Sequence, residues 1–191
     1  VLVVVGPAGR GEPGGGSGFT PAKPLSTPAG RARAVPAGPP RGAAAGPGNN
    51  RAPAMKSVAP APRRYDWEGD APLKRPFSRT VTYELHVAGF TRHPSSGVAA
   101  TKRGTYAGLI EKIPYLRELG VTAVELLPVF QFDPQDAPQG FVNYWGYAPV
   151  SIFAPHHAYS ARPGPAGPAD EFRDMVQALH RAGLEVSLDE V

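Results

Sequence analysis

A chain of 191 residues can bury the core of one ordinary domain, yet thirty of its first 50 residues are Gly, Pro or Ala, so the length available for packing is shorter. The net charge of +4 divides unevenly: residues 1–64 carry nine Lys/Arg against one Glu, and the remainder eleven against fifteen acidic residues. A mildly acidic folded part argues against nucleic acid as a partner, and the lack of cysteine excludes disulfides, thiolate metal sites and a Cys nucleophile.

Residues 1–64 contain no Tyr or Trp and a single Phe, Phe19. So little apolar surface cannot offset the entropy of ordering, which predicts a disordered Pro/Gly/Ala-rich tail and linker over 1–64 and a folded part over 65–191. The tail is Arg-rich and acid-poor like an organelle transit peptide, although it holds only three Ser. Val1 in place of Met suggests a start further upstream. The opening Val1–Val5 run is too short for a signal-peptide core, and nothing approaches the roughly 20 apolar residues of a membrane span, so no membrane partner is expected.

Within the folded part, residues 80–87 alternate: Val81, Tyr83, Leu85 and Val87 fall on one face, Thr82, Glu84 and His86 on the other. That pattern predicts a strand. Leu109, Ile110, Ile113, Leu116 and Leu119 then recur at helical spacing, with Pro114 dividing the run into two short helices. Gly120 supplies a helix stop, and residues 121–127 read as a buried strand.

The second half repeats this grammar. Asp170 and Glu171 mark a helix start, and Phe172, Met175, Val176 and Leu179 form its apolar face. Gly183 ends that helix, and residues 184–188 form the next strand. Two helix–strand units after a first strand describe an α/β fold with a parallel sheet. The first strand–helix turn, residues 87–97, lacks the Gly-x-Gly-x-x-Gly of a dinucleotide fold, which favours the start of a (β/α)8 TIM barrel over an open sheet. About half of a typical barrel of ~250 residues is present.

Ligands of such barrels bind at the carboxyl ends of the strands. The long connection 128–155 is therefore the richest segment, with Phe130, Phe132, Phe141, Tyr144, Trp145, Tyr147 and Phe153 offering flat faces suited to sugar rings, or to packing the connection itself. Asp189, at the end of the third strand, is the best placed acid. Asp133 and Asp136 read as solvated loop acids. His86 and His93 are as readily structural as functional. His156 and His157, adjacent on an extended chain, point to opposite sides and do not suit one metal ion. Glycoside hydrolysis generally uses two carboxyl groups flanking the bond, and no such pair can be nominated here.

Five ordered segments carry a resemblance: Tyr83–Thr91, Arg103–Leu109, Leu119–Val129, Asn143–Tyr147 and Ala182–Asp189. Together they resemble the start of the catalytic barrel of isoamylase-type glycogen and starch debranching enzymes, in the alpha-amylase superfamily (glycoside hydrolase family 13). The resemblance implies an eight-stranded barrel that cleaves α-1,6 branch bonds of starch, glycogen or limit dextrin by a retaining mechanism, with a branched α-glucan as partner and no cofactor. Tyr147 matches the aromatic that stacks on the sugar at the cleavage subsite, and Asp189 the acid opening the motif after the third strand. Tyr144 and Trp145 lie in the same aromatic motif and join them as substrate-binding candidates. No residue here matches a catalytic acid, because the nucleophilic Asp, acid/base Glu and stabilising Asp fall beyond Val191.

The chain is accordingly read as the front portion of such an enzyme, inactive and aggregation-prone alone because a partial barrel exposes a sheet edge. A non-catalytic α-glucan-binding or regulatory protein is the alternative. Three departures stand out: Ala88 in place of a usual Arg, Glu190 in place of a usual Val, and residues 1–48 unlike the β-sandwich carbohydrate-binding module that usually precedes the barrel. The family is compatible with a plastid or a bacterial cytoplasm, and the oligomeric state is left open.

Overall fold

The computed structural model describes residues 64–189, together with the backbone of three short strands: β1 (Leu2–Val5), β2 (Arg33–Val35) and β3 (Lys56–Val58). The tail expected over 1–64 otherwise lies outside the described residues, as does Glu190.

Residues 81–85 form strand β4 (Val81–Leu85), with Tyr83 and Leu85 buried as their alternation requires. The strand stops two residues short of the expected Val87. His86 is still extended, but its ring accepts a hydrogen bond from the Gly89 amide and so caps a one-turn helix, α1 (Val87–Thr91). His is not among the favoured capping residues, so alternation alone carried the expected strand past it.

Thr105 caps α2 (Tyr106–Glu111) by accepting from the Gly108 amide. The chain breaks at Lys112 and resumes as α3 (Ile113–Glu118), with Pro114 in its first turn, where a missing N–H costs nothing. Gly120 leaves this helix with φ 84°, and strand β5 (Ala123–Leu126) follows. The second unit is α4 (Gly167–Arg181), Gly183 with φ 79°, and β8 (Glu185–Leu188). Met175 and Leu179 of α4 are fully buried, and Phe172 meets the Tyr106 ring edge-on at 5.4 Å.

The four-stranded sheet runs β1-β4-β5-β8 and is parallel throughout. One face, with Tyr83, Leu85, Val124 and Leu126, packs under the helices against Leu109, Leu116 and Leu179. The alternating positions Glu84, Glu125 and Ser187 stand in register across β4, β5 and β8 on the other face.

Two polar devices hold α4 in place. Glu171 is buried and accepts from the amides of Ala107, Ala161 and Arg162 and from the Ser160 hydroxyl at 2.7–3.1 Å, joining the first turn of α2 and the 160–162 loop to α4. Residues 65–70 fasten to it: the Tyr65 hydroxyl donates to Asp174, Gln177 donates to the Trp67 carbonyl, and His180 Nδ1 donates to Asp70, at 2.6–2.7 Å. Burial and the Asp174 carboxylate push the Tyr65 phenol up to about 12, so it stays a donor. No described helix is long and apolar enough to cross a membrane.

Candidate functional site

The connection after β5 is not a plain loop. It contains β6 (Phe130–Phe132) and β7 (Pro149–Pro155), paired antiparallel with an irregular register in which Phe130 faces Pro155 and Gln131 faces Ser151. The extra residues on β7 include Phe153, which takes φ 66° and turns outward with its ring largely exposed. Phe132 points inward and lies flat on His156 at 4.0 Å between ring centres. The seven aromatics thus divide between packing and display, a division that composition could not reveal.

Between the two strands, residues 143–147 are fastened at several points. The Asn143 amide donates to the Pro134 carbonyl, and Asn143 Oδ1 accepts from the Gly146 amide. Gly146 has φ 86°, and a β-carbon there would come within 2.8 Å of the Phe132 ring, so neither the backbone nor the space admits a side chain. Tyr144 lies flat on the His86 ring, 4.2 Å between centres and 6° from parallel. Trp145 meets Tyr144 edge-on at 5.2 Å.

His86 therefore belongs to this region, although the sequence left its role open. Its Nδ1 accepts from the Gly89 amide at 3.0 Å, and its Nε2 lies 2.9 Å from the Tyr144 carbonyl oxygen. An amide N–H can only donate and a carbonyl can only accept, which assigns the proton to Nε2 in the neutral ring. Burial holds His86 below the usual histidine range, in keeping with that form. The Tyr159 hydroxyl also sits 3.0 Å from Nε2.

Tyr147 and Asp189 are brought together: the Tyr147 hydroxyl donates to Asp189 Oδ2. Asp189 is held at the carboxyl end of the sheet by its amide, which donates to the Leu126 carbonyl at 2.9 Å. Burial raises the Tyr147 phenol pKa, the Asp189 hydrogen bond and charge raise it further, and Glu84 and Glu125 add to the effect. The phenol is thus fixed as a protonated donor while 41% of the residue stays open to solvent. A carboxylate held by a phenol beside an exposed ring face suits a ligand rich in hydroxyls.

The four nominated residues are not equivalent. Tyr147 and Asp189 form a direct pair at the strand ends, whereas Tyr144 spends one ring face on His86 and Trp145 is half-buried against Tyr144. Asp133 departs from the expected solvated acid: it is buried and accepts from the Gln135 amide, closing a turn after β6. Asp136 is exposed. The adjacent histidines do not point to opposite sides: the chain turns into a short 3-10 helix at His157, and the two ring centres lie 5.2 Å apart, tilted by 59°. His156 is buried against Phe132 and Tyr159, and His157 Nδ1 donates to Gln131 Oε1 at 2.9 Å. Among the described residues no group of three or more His, Cys, Asp or Glu is placed to hold a metal. Ala88, where Arg was anticipated, is buried in the core cluster.

The family model described as the alpha amylase catalytic domain matches residues 73–191. Among solved structures, the type I pullulanase of Bacillus subtilis strain 168, complexed with maltose, is 37% identical over 72% of this chain and 21% of its own, with a TM-score of 0.59. The pullulanase of Bacillus acidopullulyticus is 26% identical over 72% and 18%, with a TM-score of 0.56. A pullulanase from an Anoxybacillus species, complexed with maltotetraose, is 29% identical over 72% and 22%, with a TM-score of 0.55. The chain spans about a fifth of the length of these structures.

Proposed function

Since the chain belongs to the alpha-amylase catalytic-domain family, whose fold is a (β/α)8 barrel, we propose that it contributes the first three barrel strands and a sugar subsite to a hydrolase that cleaves α-1,6 branch bonds of starch or glycogen. In this reading β4, β5 and β8 are those strands, and Tyr147 and Asp189 bind substrate at their carboxyl ends. Tyr147 presents its ring to a glucose unit, and Asp189, oriented by the Tyr147 hydroxyl, accepts hydrogen bonds from sugar hydroxyls. Tyr144 and Trp145 take part mainly by shaping the loop that carries Tyr147. The observation carrying this reading is the Tyr147–Asp189 hydrogen bond between the aromatic connection and the end of the third strand.

The pullulanase character of the similar structures supports branch cleavage, and the maltose and maltotetraose in two of them support an α-glucan ligand. The chemistry needs an acid and a nucleophile or base flanking the bond. This chain's share is to hold the sugar ring in register with those groups, which later barrel strands supply, so the chain alone is inactive. An isoamylase-type preference for branch bonds predicts that the intact protein releases reducing ends from amylopectin limit dextrin and leaves linear amylose untouched. Equal rates on the two substrates would remove the branch-cleaving assignment, and activity of the isolated chain would remove the division of labour.

A further inference from the structure

The end of the first strand and the candidate sugar-binding loop meet at one side chain. Capping α1 requires only an acceptor for the Gly89 amide, which an Asn, Ser, Thr or Asp would provide. His86 does more: its second nitrogen reaches the Tyr144 carbonyl at 2.9 Å and its ring face carries the Tyr144 ring at 4.2 Å. Room for that ring comes from Gly89, where a β-carbon would stand 2.6 Å from the Tyr144 hydroxyl. Three residues further along, Tyr147 reaches Asp189 at the end of the third strand.

We propose that His86 is a positioning residue for the sugar subsite, fixing the 143–147 loop through its Nε2–H bond to the Tyr144 carbonyl and so setting Tyr147 against Asp189. The proposal rests on the Tyr147–Asp189 reading for its functional consequence, while its structural content, the anchoring of the loop, stands separately. His86 touches no substrate in this scheme. It acts through Tyr144 and Tyr147.

The imidazole's two roles can be separated by substitution in the intact protein. His86→Asn keeps an acceptor near the Nδ1 position for the Gly89 amide but has neither the distal donor nor the ring. It is expected to raise amide hydrogen exchange across 143–147 about tenfold, leave the Gly89 amide protected, and weaken maltotetraose binding about tenfold, the fold-change of one lost hydrogen bond. A KM rise with little change in kcat is the expected kinetic form. His86→Gln, whose amide reaches towards the Nε2 position, should recover part of the affinity. Gly89→Ala approaches from the other side: it favours the helix intrinsically but obstructs Tyr144, so it too should loosen 143–147.

Unchanged exchange in 143–147 in both His86→Asn and Gly89→Ala would overturn the proposal. So would loosened exchange with wild-type affinity, since the loop's order would then not set the subsite. If Tyr147→Phe weakens maltotetraose binding while the His86 and Gly89 variants do not, the positioning role falls and the subsite reading stands. If the wild-type protein does not bind maltotetraose yet both variants loosen the loop, the anchoring stands and the subsite reading falls.

Discussion

The helix-covered sheet and the 128–155 connection are built on different principles. Around β4, β5 and β8, order comes from repeated burial: alternating apolar residues on strands, one apolar stripe on α4, and a glycine after each of the two helices that lead into β5 and β8. In the connection, order comes from single contacts that cannot be exchanged, such as Tyr144 on His86, Gly146 against Phe132 and Asn143 closing its own turn. A scaffold of the first kind tolerates variation in side-chain identity, while a site of the second kind depends on a few atoms. The two should therefore fail differently.

The largest effect is expected where the scaffold departs from its own rule. Glu171→Ala leaves three amides and the Ser160 hydroxyl without their carboxylate and should cost about 3 kcal/mol of unfolding free energy, measured by denaturant titration. A cost below about 1 kcal/mol would mean that water replaces the carboxylate and that apolar burial alone holds α2 to α4. In the connection, Gly146→Ala meets both a left-handed backbone and the Phe132 ring, for about 2 kcal/mol. It should also abolish maltotetraose binding while the helical far-UV signal persists, because the damage stays with the loop that carries Tyr147.

A comparable effect should follow from pH. His156 is held at about 3 by burial, with His157 and His86 adding to the depression, and among the described residues its Nδ1 has no hydrogen-bond partner. An unfolded histidine titrates near 6.5, so between those values the unfolded chain binds the extra proton and stability falls as the pH drops. At pH 5 the loss should be about 2 kcal/mol from this group. His156→Leu should flatten the slope between pH 6.5 and 5, and an unchanged slope would assign it to other groups.

The same contrast explains what could be read in advance. Local periodicity located β5, β8, the helix break just before Pro114 and the stops at Gly120 and Gly183, because each depends on neighbours within a few positions. It could not show β6 pairing with β7, since that pairing is non-local and its register is interrupted where Phe153 turns outward. It placed Asp133 in solvent because a charged loop residue usually is, and missed that the turn after β6 buries it. Glu171 read as a helix-start acid, and its donors on α2 and the 160–162 loop were invisible. Tyr147 and Asp189 were nominated separately, 42 positions apart, and the fold supplied the bond between them. His86 reads as readily structural as functional, because capping by histidine has no strong sequence signal.

The smallest expected change in stability belongs to the most direct test. Calorimetric titration of maltotetraose into the intact protein and its Tyr147→Phe variant removes one oxygen and leaves the ring. The variant should melt within about 1 °C of the parent, in keeping with a partly exposed hydrogen bond, and bind about tenfold more weakly, the fold-change of one lost hydrogen bond. Binding equal to the parent's would contradict the claim that the phenol-held carboxylate at the strand ends is a sugar subsite.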